Sequence, residues 1–268
     1  MKRLVKFLSI IIVLSLFCQA CTVVPLTGRK QLNLLPESEM ISMSFTNYSD
    51  FMKVNPVSAD KANTEMVTAV GSDISAAVIK YFADNNLSGR LDGYQWEFNL
   101  VKNDTTPNAW CMPGGKVVVY SGILPYTKDK NGLAVVLSHE IAHAVARHGN
   151  ERMSQELLTQ FGSIALSEAV KQKPEQTRNI FNNAYGLGSQ FGVLLPFSRE
   201  HELEADKLGL IFMAMAGYDP QTAIGFWERM STMGGNKPPE FMSTHPSDER
   251  RIAQIKEAMP EVLQYYKK

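Results

Sequence analysis

His139-Glu140-Ile141-Ala142-His143 is the stretch on which the reading of this chain turns. The residues just before it, Leu133-Ala134-Val135-Val136-Leu137, are apolar, so the pattern predicts a buried helix from about 131 to 149 rather than a solvated one. Two histidines four residues apart lie about 40° apart around a helix, and both imidazoles can reach one metal ion from a single face. Glu140 is about 100° round from His139, where it can sit beside an open position of that metal. Imidazoles left unpaired in such a helix would be costly. The expected ion is zinc, one per chain. It would lower the pKa of water to roughly 7 and polarise a peptide carbonyl, with Glu140 removing the proton and delivering it to the leaving amine.

Outward from this helix, the chain predicts helices at about 37–54, 60–84, 151–172, 177–186, 199–216, 219–232 and 248–266, with an Asn85-Asn86 stop. Two β segments interrupt them. Residues 94–101 alternate apolar and polar side chains, and Lys116-Val117-Val118-Val119-Tyr120 is a β-branched run after the turn Pro113-Gly114-Gly115. The expectation is a mostly helical α+β fold in one compact domain, residues 37–268, with a small sheet. Gly186-Leu187-Gly188 and Gly192, ahead of Pro196, read as a flap or a simple bend. An apolar fraction of 44% and a charged fraction of 20% exclude a disordered chain, and 27 basic against 27 acidic residues leave no electrostatic footprint for nucleic acid.

A catalytic zinc needs a third protein ligand. Fifty-nine residues after His143, and directly after Ser198-Arg199-Glu200-His201, the chain reads Glu202-Leu203-Glu204-Ala205-Asp206. With H-E-x-x-H and this later E-x-x-x-D, the sequence resembles the zinc peptidase family of the CAAX prenyl protease, the HtpX-type heat-shock proteases and the BepA/LoiP-like lipoproteins. That resemblance implies a zincin-like (gluzincin) domain in which Glu202 is the third ligand and Asp206 orients a ligating histidine. Glu200 and Glu204, about 200° round the helix from Glu202, are expected to face solvent or a basic neighbour. His201 is read as non-ligating, and His148, five residues past His143, as a surface residue.

The likeness extends to Pro25-Leu26-Thr27-Gly28-Arg29-Lys30-Gln31-Leu32, to Asn108-Ala109-Trp110-Cys111-Met112-Pro113-Gly114-Gly115, and to His245-Pro246 followed by Arg251-Ile252. It implies that Val117, Val118 and Val119 form an edge strand along the cleft, where an extended substrate adds as a further strand. It also implies a role for His245 near the metal, stabilising the oxyanion or filling the open position in a resting form. Cys111 is read as packing, not as a nucleophile.

The chain's start reads as an address. Lys2, Arg3 and Lys6 precede an apolar run from Phe7 to Phe17, and Ala20-Cys21 resembles the lipobox of bacterial lipoproteins. Residues 1–20 are then a signal peptide, Cys21 a lipidation site, and 21–36 an extended tether. The function expected is a zinc-dependent endopeptidase of the bacterial cell envelope. It would be lipid-anchored, on the outer membrane facing the periplasm, and degrade misfolded or misassembled envelope proteins. The alternative is a zinc-stabilised periplasmic chaperone or assembly factor that binds clients without cutting them.

Overall fold

Helical periodicity and β-branched runs separate in space much as they do along the chain. The computed structural model describes residues 21–24, 27–161, 174–184, 198–233, 240–245 and 249–267. Its first half contains β1 (Cys21–Val23), β2 (Lys30–Leu32), α1 (Glu37–Val54), α2 (Lys61–Asp84), β3 (Glu97–Val101), β4 (Ala109–Met112), β5 (Lys116–Tyr120) and α3 (Leu124–Thr127). The second half is helical: α4 (Lys130–Val145), α5 (His148–Phe161), α6 (Pro174–Ala184), α7 (Arg199–Met215), α8 (Thr222–Met233), α9 (Glu240–Thr244) and α10 (Glu249–Val262). Residues 1–20, expected to be a signal peptide, and the glycine-rich stretch 186–192 lie outside the described residues.

Helix α4 forms the centre. Asp129 caps it, its carboxylate accepting from the backbone N–H of Gly132 at 2.9 Å, and every residue from Gly132 to Val145 is buried. A helix that is apolar all round has to be covered all round. Helices α2 and α7 and strand β4 do this, with α7 making the largest helix contact. Gly209 permits that closeness: a Cβ there would stand 3.0 Å from the backbone nitrogen of His139, so α7 lies directly against the motif. Helix α2 is long and apolar enough to cross a membrane by length and composition, but Val67, Val70, Ile74 and Val78 are all buried in the core around α4.

The three-stranded sheet has the order β3-β5-β4, with β3 parallel and β4 antiparallel to β5. Gly114 and Gly115, at φ +82° and +84°, make the tight turn between β4 and β5 in a backbone region that side chains disfavour. This order corrects one expectation. Val117–Val119 lie in the central strand, with both edges already paired, and none of the three is exposed. The reason is visible in the packing. Val117 and Val119 join the core around α2 and α4, whereas Val118 joins a second core with Trp110, Tyr48 and Phe51. A continuous valine run suits a strand covered on both faces. The strand with an unpaired edge on the α4 side, among the described residues, is β4, a segment outside the two β segments expected from sequence.

The expected tether is folded as well. β1 and β2 pair antiparallel, Gln31 donates from Nε2 to the carbonyl of Ala146 at 2.8 Å, and the Ser154 hydroxyl accepts from Leu34 N at 2.9 Å. Residues 27–35 are thereby fastened to α4 and α5.

Candidate metal centre

The i,i+4 spacing on α4 brings His139 and His143 to within 3.0 Å, Nε2 to Nε2. Glu202 enters from the first turn of α7, a helix capped by Ser198, whose hydroxyl accepts from His201 N at 3.2 Å. Its Oε2 is 3.4 Å from His139 Nε2 and its Oε1 is 3.4 Å from His143 Nε2. His245, just beyond α9, turns Nδ1 to 3.2 Å from His139 Nε2 and 3.0 Å from Glu202 Oε1. Zinc–nitrogen bonds of 2.0–2.1 Å place tetrahedral ligand atoms about 3.3 Å apart. The spacing of these atoms therefore fits the corners of a zinc tetrahedron, and one ligand atom from each of the four residues lies within 4.8 Å of all the others. The donor set of imidazoles and one carboxylate suits the same ion.

All four are almost completely buried, as is Glu140 at 3% exposure. Burial raises the carboxyl pKa of Glu140 above its usual value, although His245 and His139 oppose this. Its Oε1 lies 3.3 Å from His245 Nε2 and has no hydrogen-bond partner among the described residues. The His139 ring is lowered by burial, but the adjoining carboxylates of Asp206 and Glu202 win and bring it up to about 9. Glu202 is driven well below the carboxylate range, the cost of burial being outweighed by His245 and Arg251. At Asp206, too, burial is outweighed, by Arg251 and His139, so its carboxyl is lowered.

Asp206 lies one turn after Glu202, with Oδ1 3.0 Å from His139 Nδ1. Arg251 belongs to the same centre, a role that its place in the sequence does not announce. It is 2% exposed and donates from Nε and Nη2 to Asp206 at 2.6 and 2.7 Å. Its Nη1 is 2.7 Å from Glu202 Oε2, and its guanidinium lies 3.6 Å from the Trp227 ring centre. Two buried carboxylates require such a partner.

On the other side of α7, Glu200 and Glu204 meet the two surroundings expected of them, whereas His148 does not. Glu200 is exposed, but Glu204 is buried against a basic neighbour, accepting from Arg29 Nε at 2.7 Å and from the Thr27 hydroxyl. His148 is not a surface residue: it is fully buried, with Nδ1 2.9 Å from His143 Nδ1 and Nε2 2.8 Å from Glu204 Oε2. A continuous helix would put it about 140° round from His143. The helix instead ends at Val145, and Arg147, whose φ is +63°, breaks the helical path before α5 begins at His148. Burial brings His148 down to about 4, so it is neutral at ordinary pH. His201 contacts Glu151 Oε2 at 3.0 Å and stacks on His148.

A family model, peptidase family M48, matches residues 57–259, most of the chain including both metal-site helices. The chain belongs to peptidase family M48. The family is one of zinc metallopeptidases, and the cluster of His139, His143, Glu202 and His245 is able to hold a metal ion. The chain is 44% identical over 179 residues to the mitochondrial metalloendopeptidase OMA1 of Schizosaccharomyces pombe, an alignment covering 65% of this chain and 50% of that protein. It is 36% identical over 200 residues to its counterpart in Saccharomyces cerevisiae, covering 72% and 54%. The beta-barrel assembly-enhancing protease of Escherichia coli is 27% identical over 237 residues, covering 75% and 48%. This M48 chain spans about half the length of these relatives.

These likenesses overturn the expected setting. Several relatives, from yeasts, a plant and mammals, are mitochondrial metalloendopeptidases, whereas the bacterial protease is less similar. A bacterial envelope lipoprotein anchored at Cys21, on the outer membrane facing the periplasm, is therefore not retained, nor are its envelope substrates. A basic, acid-free start followed by an apolar run misleads because acid-poor leaders serve more than one compartment.

Proposed function

We propose that this M48 chain is a zinc-dependent endopeptidase acting on protein substrates. His139, His143 and Glu202 hold the metal, and Asp206 orients His139 through its Nδ1. The observation that carries this reading is the tetrahedral spacing of ligand atoms contributed by α4 and α7, with Glu140 buried beside them. The metal, when bound, supplies a Lewis acid for the scissile carbonyl and a more acidic attacking water. Glu140 takes the proton from that water and passes it to the leaving amine, and its raised pKa suits a group that must both accept and release a proton. Arg251 keeps Glu202 and Asp206 charged and fixed in direction.

Substrate would lie extended along β4. The free edge of that strand faces no other described strand, and Cys111 within it is close enough to Glu140 for that charge to add to burial in raising the thiol pKa. Backbone pairing of this kind reads shape more than side chains. In the form described, His245 Nδ1 fills the fourth corner of the centre, and α9 is tied to the approach of β4 by Phe241 N donating to Pro107 O at 3.1 Å. Cleavage therefore requires His245 to give up that corner, and its Nε2 already lies 3.3 Å from Glu140 Oε1.

The test uses purified protein and unfolded casein. Wild type carrying one zinc per chain should cut it, and Glu140→Gln should retain the zinc and lose about 10²–10⁴-fold in rate. Zinc-loaded wild type that leaves casein intact, indistinguishable from Glu140→Gln, would refute the proposal.

A further inference from the structure

The proposed chemistry draws on one side of α7. On the other, buried Glu151, His148, His201 and Glu204 form a polar cluster with half-buried Arg29 and exposed Thr27, and His148 joins it to the metal centre by its contact with His143. Arg29 binds both acids: its Nη1 and Nη2 donate to Glu151 at 3.0 and 2.8 Å, and its Nε donates to Glu204 at 2.7 Å. The guanidinium already occupies the place of a cation, so this cluster is not a second metal site.

The proton positions follow from donor and acceptor chemistry. A charged Glu204 only accepts, so the His148 nitrogen facing it, Nε2, carries the hydrogen. From the other end, His143 directs Nε2 at His139 Nε2 and Glu202, and an imidazole that ligates through Nε2 carries its hydrogen on Nδ1. That Nδ1 donates to His148 Nδ1 at 2.9 Å, so Glu204, His148 and His143 form one chain of hydrogen bonds. Each ligating histidine is thus set in its metal-binding tautomer by a carboxylate. Asp206 acts directly on His139, and Glu204 acts on His143 through one interposed imidazole. Carboxylates that orient ligating histidines are usual around protein zinc, and they raise the basicity of the ligand.

We propose that His148 is a positioning residue for the metal ligand His143, and that the Thr27–Arg29 segment ahead of β2 belongs to the same device by holding Glu204 in place. The N-terminal hairpin is then a working part of the centre. The inference rests on the metal centre proposed above, which the zinc stoichiometry of the wild type tests separately.

The experiment measures zinc affinity by chelator competition, and the absorption spectrum of the cobalt-substituted protein, for wild type, His148→Phe, Glu204→Gln and Arg29→Met of the full chain. His148→Phe should weaken zinc binding by about 10–100-fold and shift the cobalt bands. Glu204→Gln, which keeps the shape and removes the charge, should weaken it by about tenfold, and Arg29→Met by less, in the same direction. If His148→Phe does not fold, Glu204→Gln decides the matter. Zinc affinity and cobalt spectrum unchanged in Glu204→Gln would overturn the relay, and Arg29→Met equal to wild type would remove the hairpin from it.

Discussion

Helix α7 is clasped from both sides by an arginine, one buried and one partly exposed, and the two clasps differ in reach. On the C-terminal side, Arg251 touches the proposed ligand Glu202 itself and grips Asp206 with two nitrogens. On the N-terminal side, Arg29 touches no ligand and communicates through Glu204 and His148. The first arginine is 2% exposed at its side chain and the second 13%. The comparison teaches that a metal site is held by charge pairs arranged in shells, and that the effect of losing one should fall with its distance from the ion and with its access to water.

That ordering can be broken by mutation. Arg251→Met should be the more damaging of the two arginine changes. It leaves Glu202 and Asp206 buried without their cation, at a cost of about 3–5 kcal/mol in denaturant unfolding of the metal-free protein. Arg29→Met should cost about 1–2 kcal/mol in the same measurement, since its partners lie nearer to solvent. Equal losses would mean that the two clasps are equivalent and the shell argument is wrong.

A smaller effect sharpens the N-terminal side. Burial opposes the charge of Glu151, but His201 and Arg29 bring its carboxyl down to about 2. A depressed folded-state pKa contributes stability that is complete above the unfolded value, about 4.5, and is lost as pH falls through 2. Wild type should therefore lose stability between about pH 4.5 and 2, and Arg29→Met should lose less over that window. Parallel stability curves for the two proteins would contradict the assignment.

The ligand helix was legible because helical geometry turns an i,i+4 spacing into a shared face without any tertiary knowledge: His139, His143 and Glu140 stand as the spacing requires. Glu202 and Asp206 share a face for the same reason, though their approach to α4 depends on packing past Gly209. The second clasp was not legible. Its contacts join residues 56 and 175 positions apart, and the decisive bend is a single positive φ at Arg147 that no periodicity announces. The sheet edge was misplaced for a different reason. Val117-Val118-Val119 already had the unbroken apolar character of a strand covered on both faces, while Ala109-Trp110-Cys111-Met112 before the glycine turn had the makings of its hairpin partner. The compartment was misread because it was inferred from residues 1–21 alone, a stretch that contains none of the residues of the metal centre.

The central claim is that α4 and α7 build one zinc site. Crystals of the zinc-loaded wild type, measured at the zinc absorption edge, test it most directly. The account predicts a single anomalous peak per chain, between the Nε2 atoms of His139 and His143 and the carboxylate of Glu202. A peak elsewhere, or none from protein shown to hold zinc in solution, would contradict it.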